Sequence, residues 1–181
     1  SRLASERMTT VASAIELRNL LSRPLKIADP YCGVGPAVLQ LLNQEGLVQD
    51  LLACDLNPHA IELLKENIGQ YPEEWFIGVE DATELKAFEN LLNRFDMLLM
   101  NLPHETLAHL PLLLPLLNTD GPTIVRGWAV VEEQQISNFE DKLNETLTQH
   151  ALLNDRARVS VRRQYNATNV LVRFEGRFGN W

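Results

Sequence analysis

Along the chain, short continuous apolar runs alternate with segments whose apolar residues recur at helical spacing. This pattern predicts strands and helices in alternation. Short apolar runs bounded by turn residues are typical of buried strands, and apolar residues at helical spacing are typical of amphipathic helices. The predicted strands cover residues 25–28, 51–54, 75–79, 97–100 and 122–131. The predicted helices cover residues 3–21, 36–43, 58–68, 84–92, 105–117 (interrupted by prolines) and 132–149.

The end of the chain departs from this alternation. Residues 156–163 and 170–176 alternate polar and apolar positions with no long helix between them, which predicts an antiparallel pair of strands. Strands that alternate with helices predict a doubly wound parallel sheet. We therefore expect an α/β fold with a Rossmann-like, seven-stranded, mostly parallel sheet that ends in a C-terminal antiparallel hairpin.

Composition favours a single globular domain. The chain has 181 residues, of which 45% are hydrophobic and 22% are charged, and this length can bury a full core. No repeat or linker divides it, so we expect one domain over residues 1–181, with residues 1–22 as an N-terminal helical segment. No segment resembles a signal peptide, and the longest apolar stretch, residues 107–117, is too short to span a bilayer. These features predict a cytoplasmic protein without a membrane partner.

The formal net charge of −8 argues against a broad nucleic-acid surface, because such a surface needs clustered Lys and Arg. Any contact with RNA must therefore be local, or be supported by another domain. The exception is the C-terminal hairpin, with Arg156, Arg158, Arg162, Arg163, Arg173 and Arg177. Alternate residues of a strand share a face, so some of these could form a phosphate-binding stripe. A solvated edge that resists aggregation is an equally good interpretation.

A glycine-containing turn follows the first predicted strand. Asp29 comes at the end of that strand, and Gly33 and Gly35 occupy a turn in which the backbone can pass close to a ligand. The second strand is followed by Asp55, whose carboxylate is suited to accept hydrogen bonds from both hydroxyls of a ribose. Ligands of open parallel sheets bind beyond the carboxyl ends of the strands, so these residues would face one small molecule. The pattern predicts a nucleotide-type pocket.

The turn favours S-adenosyl-L-methionine (AdoMet) over a dinucleotide. A dinucleotide fingerprint has a third glycine that opens the helix, whereas Gly35 is followed here by Pro36 and no further glycine. The third strand is followed by Asp81, which could hold the adenine amino group together with the neighbouring N–H, although a helix cap is its commoner use. The expected cofactor-binding residues are Asp29, Gly33, Gly35, Asp55, Asp81 and Asn101.

The fourth predicted strand ends in a segment that suits an acceptor site. Asn101 follows the apolar run 97–100 and is followed by Leu102 and the rigid Pro103. A short amide there can align a planar acceptor nitrogen with the cofactor methyl group, and such positioning lowers the reaction barrier. No metal is expected. His104 and His109 resemble a helical zinc motif, but they are five residues apart instead of four and therefore point in different directions.

These motifs resemble those of the archaeal and eukaryotic type of tRNA guanine-N1 methyltransferase, which modifies the guanosine next to the anticodon, and of its wyosine-pathway relatives. The matching segments are residues 1–7, 32–36, 55–68 and 101–103. The resemblance implies the fold of class I AdoMet-dependent methyltransferases. It also implies Asn101, Pro103 and Arg7 as catalytic residues. Arg7 suits this role because a guanidinium would stabilise the negative charge left on guanine after N1 loses its proton.

The function implied by this resemblance is methyl transfer to guanine N1 of tRNA, in the manner of a tRNA (guanine-37-N1) methyltransferase. An additional RNA-binding domain or partner chain is also implied, because the family has preceding domains that hold tRNA. Glu6 and Glu105 are candidates for the general base. Alternatives are transfer of the aminocarboxypropyl arm of AdoMet, methylation of a small molecule or protein, and a binding module without catalysis. The Asn-Leu-Pro segment counts against the first alternative, because it is typically replaced in the wyosine-pathway relatives.

Overall fold

Within residues 9–181, which the computed structural model describes, the chain forms one seven-stranded sheet. The strands are β1 (Leu25–Asp29), β2 (Val48–Asp55), β3 (Phe76–Val79), β4 (Met97–Met100), β5 (Thr123–Glu132), β6 (Arg158–Gln164) and β7 (Asn169–Phe178). The α-helices are α1 (Thr10–Leu21), α2 (Pro36–Leu42), α3 (Pro58–Ile68), α4 (Thr106–Leu113) and α5 (Ile136–His150).

The strand order is β3-β2-β1-β4-β5-β7-β6. Strands β1 to β5 are parallel, whereas β7 runs antiparallel to β5 and β6 runs antiparallel to β7. The chain moves outward from β1 to β3 and then returns to β4 on the other side of β1. This reversal places a topological switch point between β1 and β4, where open parallel sheets bind ligands. The predicted α/β fold, with its mostly parallel sheet and antiparallel C-terminal hairpin, is confirmed.

Apolar layers cover both faces of the sheet. On β4, Leu98 and Met100 pack with residues of α4 and α5, whereas Met97 and Leu99 pack with residues of α1 and α2. All four side chains are at most 2% exposed. A strand that is buried on both faces has a continuous apolar sequence, which is why the sequence predicted a strand over residues 97–100.

One predicted helix is wrong. Residues 84–92 lie in two short 3-10 turns, Ala82–Ala87 and Glu89–Leu91. Between these turns the backbone of Phe88 is extended, with φ −87° and ψ 103°, and its ring packs edge-to-face on Phe76 with 5.6 Å between ring centroids. An extended residue interrupts the i to i−4 hydrogen bonds of an α-helix, so a tertiary aromatic contact overrides the helical pattern.

The remaining predicted elements are present with shifted ends. Helix α1 begins after Thr9, whose hydroxyl accepts the Ala12 N–H at 3.0 Å and caps the helix. The first part of the predicted helix 3–21 lies outside the described residues. Residues 105–117 divide into α4 and a 3-10 turn, Leu114–Leu116. Among residues 9–181, no helix combines the length and the apolar character needed to cross a bilayer.

A buried ionic cluster fastens α1 to the antiparallel part of the sheet. Arg126 on β5, whose side chain is 5% exposed, donates hydrogen bonds to Glu175 on β7 at 2.9 Å and to the Thr10 hydroxyl at 3.0 Å. Glu175 also accepts a hydrogen bond from the Ser13 hydroxyl at 2.5 Å. Arg177 donates to Glu175 at 3.0 Å. Three polar groups thus stabilise the Glu175 carboxylate, and the cluster connects β5, β7 and α1.

We predict that Arg126→Ala lowers the free energy of unfolding by about 3 kcal/mol or more, because removing one partner of a buried pair leaves the other charge uncompensated. Urea denaturation followed by circular dichroism measures this change. The control is Arg156→Ala, which removes an exposed arginine paired with Glu140 and Asp141 and should leave the transition midpoint nearly unchanged. Equal effects of the two substitutions would contradict the structural role of the cluster.

Candidate functional site

The turn between β1 and α2 brings the backbone around the carboxyl end of β1. Gly33 and Gly35 have positive φ angles of 56° and 83°, which glycine adopts without steric cost. A Cβ atom at Gly35 would also collide with the side chain of Leu64 on α3. Gly35 is the N-cap of α2, and Pro36 occupies the first helical position, where its missing N–H costs nothing. Gly35 is therefore required both by its conformation and by the close approach of α3.

Asp55 at the end of β2 holds this turn in place. Its Oδ2 atom accepts the Gly33 N–H at 3.0 Å, and its Oδ1 atom accepts the Asn57 N–H at 2.9 Å. The Cys32 N–H donates to the Cys54 carbonyl at 2.9 Å, so two hydrogen bonds join the turn to β2. Each carboxylate oxygen has a second acceptor position. Asp55 can therefore fix the turn and still accept hydrogen bonds from a ligand.

Asp29 is a buried carboxylate at the centre of the site. It is fully buried, and neither of its oxygens has a well-formed hydrogen bond to a described residue. Burial, together with the nearby charge of Asp55, raises the pKa of Asp29 to about 7; the Asn101 side chain and the Tyr31 N–H partly oppose this shift. An unpaired buried carboxylate is costly, and perturbed pKa values of this kind cluster at functional sites.

The segment after β4 is held rigidly against β5. The Val130 N–H donates to the Pro103 carbonyl at 2.9 Å. The buried Thr106 hydroxyl lies 2.6 Å from the Leu102 carbonyl oxygen and 2.7 Å from the Trp128 carbonyl oxygen, so its single proton is shared between two acceptors. These contacts fix the backbone that follows Asn101. Sequence analysis missed Thr106, although a Thr at the start of a helix, four residues after Leu102, was an available signal.

Tyr31 takes part in a chain of polar contacts that sequence analysis also missed. Its hydroxyl lies 2.6 Å from His109 Nδ1 on α4, and His109 Nε2 lies 3.2 Å from the Glu105 carboxylate. Burial is the main cause that raises the pKa of Tyr31. His109 therefore contacts a tyrosine in the turn between β1 and α2. Among the described residues, no group of three or more His, Cys, Asp and Glu side chains is arranged to hold a metal ion.

Asp81 lies in the short loop after β3, exposed to solvent. Its Oδ1 atom accepts the Thr83 hydroxyl at 2.7 Å and the Thr83 N–H at 2.9 Å, and these hydrogen bonds lower its pKa. Asp81 is thus a cap of the following 3-10 turn, as the commoner interpretation of this residue expects. A role in binding adenine stays a prediction.

The structure brings most of the predicted site residues to one edge of the sheet. Asp29, Gly33 and Asp55 lie at the carboxyl ends of β1 and β2, beside the switch point, and Asn101 is close enough to Asp29 to affect its pKa. Asp81 lies near Tyr31, whose pKa its charge helps to raise. Arg7 and Glu6 lie outside the described residues, so their predicted roles stay predictions.

Comparison with known proteins gives the context for this geometry. No protein-family model matches the chain. The curated tRNA (guanine(37)-N(1))-methyltransferase Trm5b of Pyrococcus abyssi is 34% identical over 112 residues, which are 60% of this chain and 29% of that protein. The crystal structure of M. jannaschii TYW2 in complex with AdoMet has a TM-score of 0.70 at 18% identity, covering 99% of this chain and 80% of that one. The complex structure of aTrm5 and tRNALeu has a TM-score of 0.62 at 17% identity, covering 92% of this chain and 45% of that one.

This chain has the class I methyltransferase fold. The resemblance to tRNA guanine-N1 methyltransferases and their relatives, which the motifs predicted, is confirmed. The chain spans less than a third of the length of the curated relative.

The burial of Asp29 gives a prediction about stability and pH. The folded-state pKa is about 7, above the ordinary value of 3.8, so the folded state binds the proton more tightly than the unfolded state. The proton bound by Asp29 therefore stabilises the folded state; this stabilisation is fully present below pH 4 and is lost as the pH rises to about 7. We predict that Asp29→Asn stabilises the protein little at pH 4 and by up to about 4 kcal/mol at pH 8, since three pKa units correspond to that amount.

Urea denaturation of both proteins between pH 4 and pH 8 measures the difference. Asp120→Asn, in an exposed turn, is the matched control and should show no comparable trend. A difference between Asp29→Asn and the unsubstituted chain that is constant over this range would contradict the raised pKa.

Proposed function

We propose that this chain is an AdoMet-dependent methyltransferase that transfers a methyl group to N1 of a guanine in tRNA, at the position next to the anticodon. The observation that carries the proposal is the buried carboxylate of Asp29, which has no well-formed hydrogen bond to any of residues 9–181 and lies between the Asp55-bound glycine turn and the rigid segment after Asn101. The similarity to Trm5b supports guanine N1 of tRNA as the acceptor.

The described residues fit AdoMet, which would supply a methyl group activated by a positively charged sulfur. The oxygens of Asp29, which lack a hydrogen-bond partner among the described residues, would accept hydrogen bonds from the ammonium group of the methionine part. Asp55 would bind the ribose hydroxyls, because its second acceptor positions are available. Asp81 would bind the adenine amino group together with the Ala82 N–H. Gly33 and Gly35 let the backbone approach the ligand closely. The crystal structure of TYW2 with AdoMet supports this cofactor.

The acceptor side would be formed by the segment after β4. Asn101 would hold the guanine edge and align N1 with the transferred methyl, and Pro103 would keep the segment rigid. Such preorganised positioning is a major source of rate enhancement. Arg7 would stabilise the negative charge that develops on guanine when N1 loses its proton. Glu6 and Glu105 are the candidates for the base that removes this proton.

Transfer of the aminocarboxypropyl arm of AdoMet is the second candidate function. The similarity in fold to TYW2, over 80% of that chain, favours it. The Asn-Leu-Pro segment favours methyl transfer, because it is typically replaced in the wyosine-pathway relatives. A small-molecule or protein acceptor, or a binding module without catalysis, would appear as AdoMet binding without labelling of RNA.

The proposed partner is tRNA, aided by an additional RNA-binding region or partner chain in the cytoplasm. The complex of aTrm5 with tRNALeu supports a tRNA substrate. The net charge of −8 disfavours a broad phosphate-binding surface, so we expect this chain to act weakly on tRNA unless other RNA contacts are supplied.

We predict that Asp55→Ala weakens AdoMet binding by about 10- to 100-fold, as expected for the loss of hydrogen bonds to a charged group. Part of this loss comes from the released Gly33 turn. Isothermal titration calorimetry measures the affinity, which we expect to be micromolar for the unsubstituted chain. Asp120→Ala is the control and should bind AdoMet normally. Unchanged affinity in Asp55→Ala would contradict the assigned role.

We predict that Asn101→Ala lowers methyl transfer to tRNA by ~100-fold or more and changes AdoMet affinity much less, as expected for a group that positions the acceptor. The assay is incorporation of labelled methyl into tRNA transcripts that carry guanosine or adenosine beside the anticodon. The guanosine transcript should be labelled and the adenosine transcript should not. Equal labelling of both would exclude guanine N1 as the target. A parallel reaction uses AdoMet labelled in its aminocarboxypropyl arm, because transfer of that arm leaves the methyl group on methylthioadenosine; labelled RNA in that reaction alone would support the second candidate function.

A further inference from the structure

The turn between β6 and β7, residues 165–168, contacts the segment that follows β4, residues 101–104, which we call the acceptor segment. Tyr165 in this turn packs edge-to-face on His104, with 5.6 Å between ring centroids and an interplanar angle of 70°. The Tyr165 hydroxyl lies 3.2 Å from His104 Nε2. His104 directly follows Pro103 in the acceptor segment. An aromatic pair therefore adjoins the place where the acceptor would bind.

The β6–β7 turn is ordered by its own hydrogen bonds. The Asn166 Oδ1 atom accepts the N–H groups of Thr168 at 3.0 Å and Asn169 at 2.9 Å. The Tyr165 N–H donates to the Asn169 carbonyl at 2.9 Å, and the Gln164 side chain donates to the Asn166 carbonyl at 2.7 Å. Tyr165 itself is 44% exposed. The turn thus presents an aromatic ring to solvent in a fixed position, which reduces the entropy lost when a partner binds.

Arginines precede this aromatic pair along β6. The chain has a net charge of −8, but residues 158–177 contain five arginines and a single acidic residue, Glu175. Glu175 is bound by Arg126 and Arg177. Arg162 and Arg163 are exposed and lie in the half of β6 nearest the turn. We call His104, Arg162, Arg163 and Tyr165 the rim patch.

The sheet topology places the rim patch on the same side as the candidate site. Strand β6 runs antiparallel to β7, which runs antiparallel to β5, so β6 has the direction of the parallel strands. Its carboxyl end therefore lies at the edge where β1, β2 and β4 end. Charged residues on an edge strand discourage aggregation, which accounts for the arginines but not for an exposed aromatic pair against the acceptor segment.

We propose that the rim patch binds the single-stranded RNA adjacent to the target guanine, with a flanking base stacked on Tyr165 and His104 and phosphates beside Arg162 and Arg163. Single-stranded RNA is recognised by stacking on aromatic rings combined with positive charge along the backbone. An acidic peptide would use the arginines but not the stacking surface. This inference rests on the proposed function, because it assumes an RNA acceptor.

The test measures binding of a fluorescent anticodon stem-loop RNA, with guanosine beside the anticodon, by fluorescence anisotropy in the presence of S-adenosylhomocysteine. Tyr165→Ala should weaken RNA binding about tenfold, the scale of losing one stacked base. Tyr165→Phe keeps the ring and should bind RNA like the unsubstituted chain. Both variants should keep their affinity for AdoMet, which shows that the fold is intact.

Arg163→Gln tests the phosphate contact. It should reduce the slope of log K against log salt concentration by about 0.7, the value for one phosphate contact to a single strand. Lys65→Gln is the matched control, because it removes one exposed positive charge from α3, away from the rim patch. It should leave the slope unchanged.

The outcomes separate this inference from the proposed function. Loss of RNA binding in Tyr165→Ala, with no labelling of the guanosine transcript by the unsubstituted chain even at saturating RNA, would support the rim patch and contradict the proposed function. Labelling of that transcript, with RNA binding unaffected by Tyr165→Ala and Arg163→Gln, would overturn the rim patch alone. The rim patch would also be overturned if the unsubstituted chain bound no RNA. A polyglutamate peptide could also displace the fluorescent RNA as strongly as unlabelled RNA does. If Tyr165→Ala did not change this displacement, the rim patch would be an acidic-peptide site and the RNA proposal would be overturned.

Discussion

The hydrogen bond from the Gly33 N–H to the Asp55 carboxylate joins the ends of β1 and β2, and the candidate site is arranged around it. A loop after a strand is ordinarily the mobile part of an α/β fold. Here the turn is instead attached to the neighbouring strand twice, since the Cys32 N–H also donates to the Cys54 carbonyl. The turn therefore has a defined shape without a ligand, and a nucleotide that bound there would not have to order it.

The fully buried Asp29 is the element that the fold tolerates at a cost to stability. Its oxygens lack well-formed hydrogen bonds to described residues, and the nearby charge of Asp55 makes ionisation less favourable still. Apolar packing alone would be better served by an uncharged side chain at this position. Local conflicts of this kind are expected at functional sites, where stability is given up for chemistry. A cationic group bound next to Asp29 would favour ionisation of this residue, because its positive charge would stabilise the carboxylate.

The ends of strands were predictable from the sequence, whereas contacts between distant segments were not. Asp29, Asp55 and Asn101 each follow an apolar run, and parallel topology is sufficient to bring such residues to one edge. The contact of Tyr31 with His109 joins residues 78 positions apart, for which no local pattern exists. The prediction of a helix over 84–92 was wrong for a similar reason. The Phe88 ring packs on Phe76, and the backbone at Phe88 is extended. Arg7 depended on resemblance alone and lies outside the described residues.

Helix α4 connects the two halves of the candidate site. At its start, the Thr106 hydroxyl contacts the Leu102 carbonyl of the acceptor segment. One turn later on the same helix, His109 contacts Tyr31 in the turn between β1 and α2. Because a helix of this length is stiff, a shift of that turn would be transmitted to the acceptor segment as a movement of α4. The proposed methyl transfer would depend on this alignment, because a misplacement of about 1 Å can cost about 100-fold in rate, and a shared rigid element is a direct way for the fold to fix the two parts of the site relative to each other.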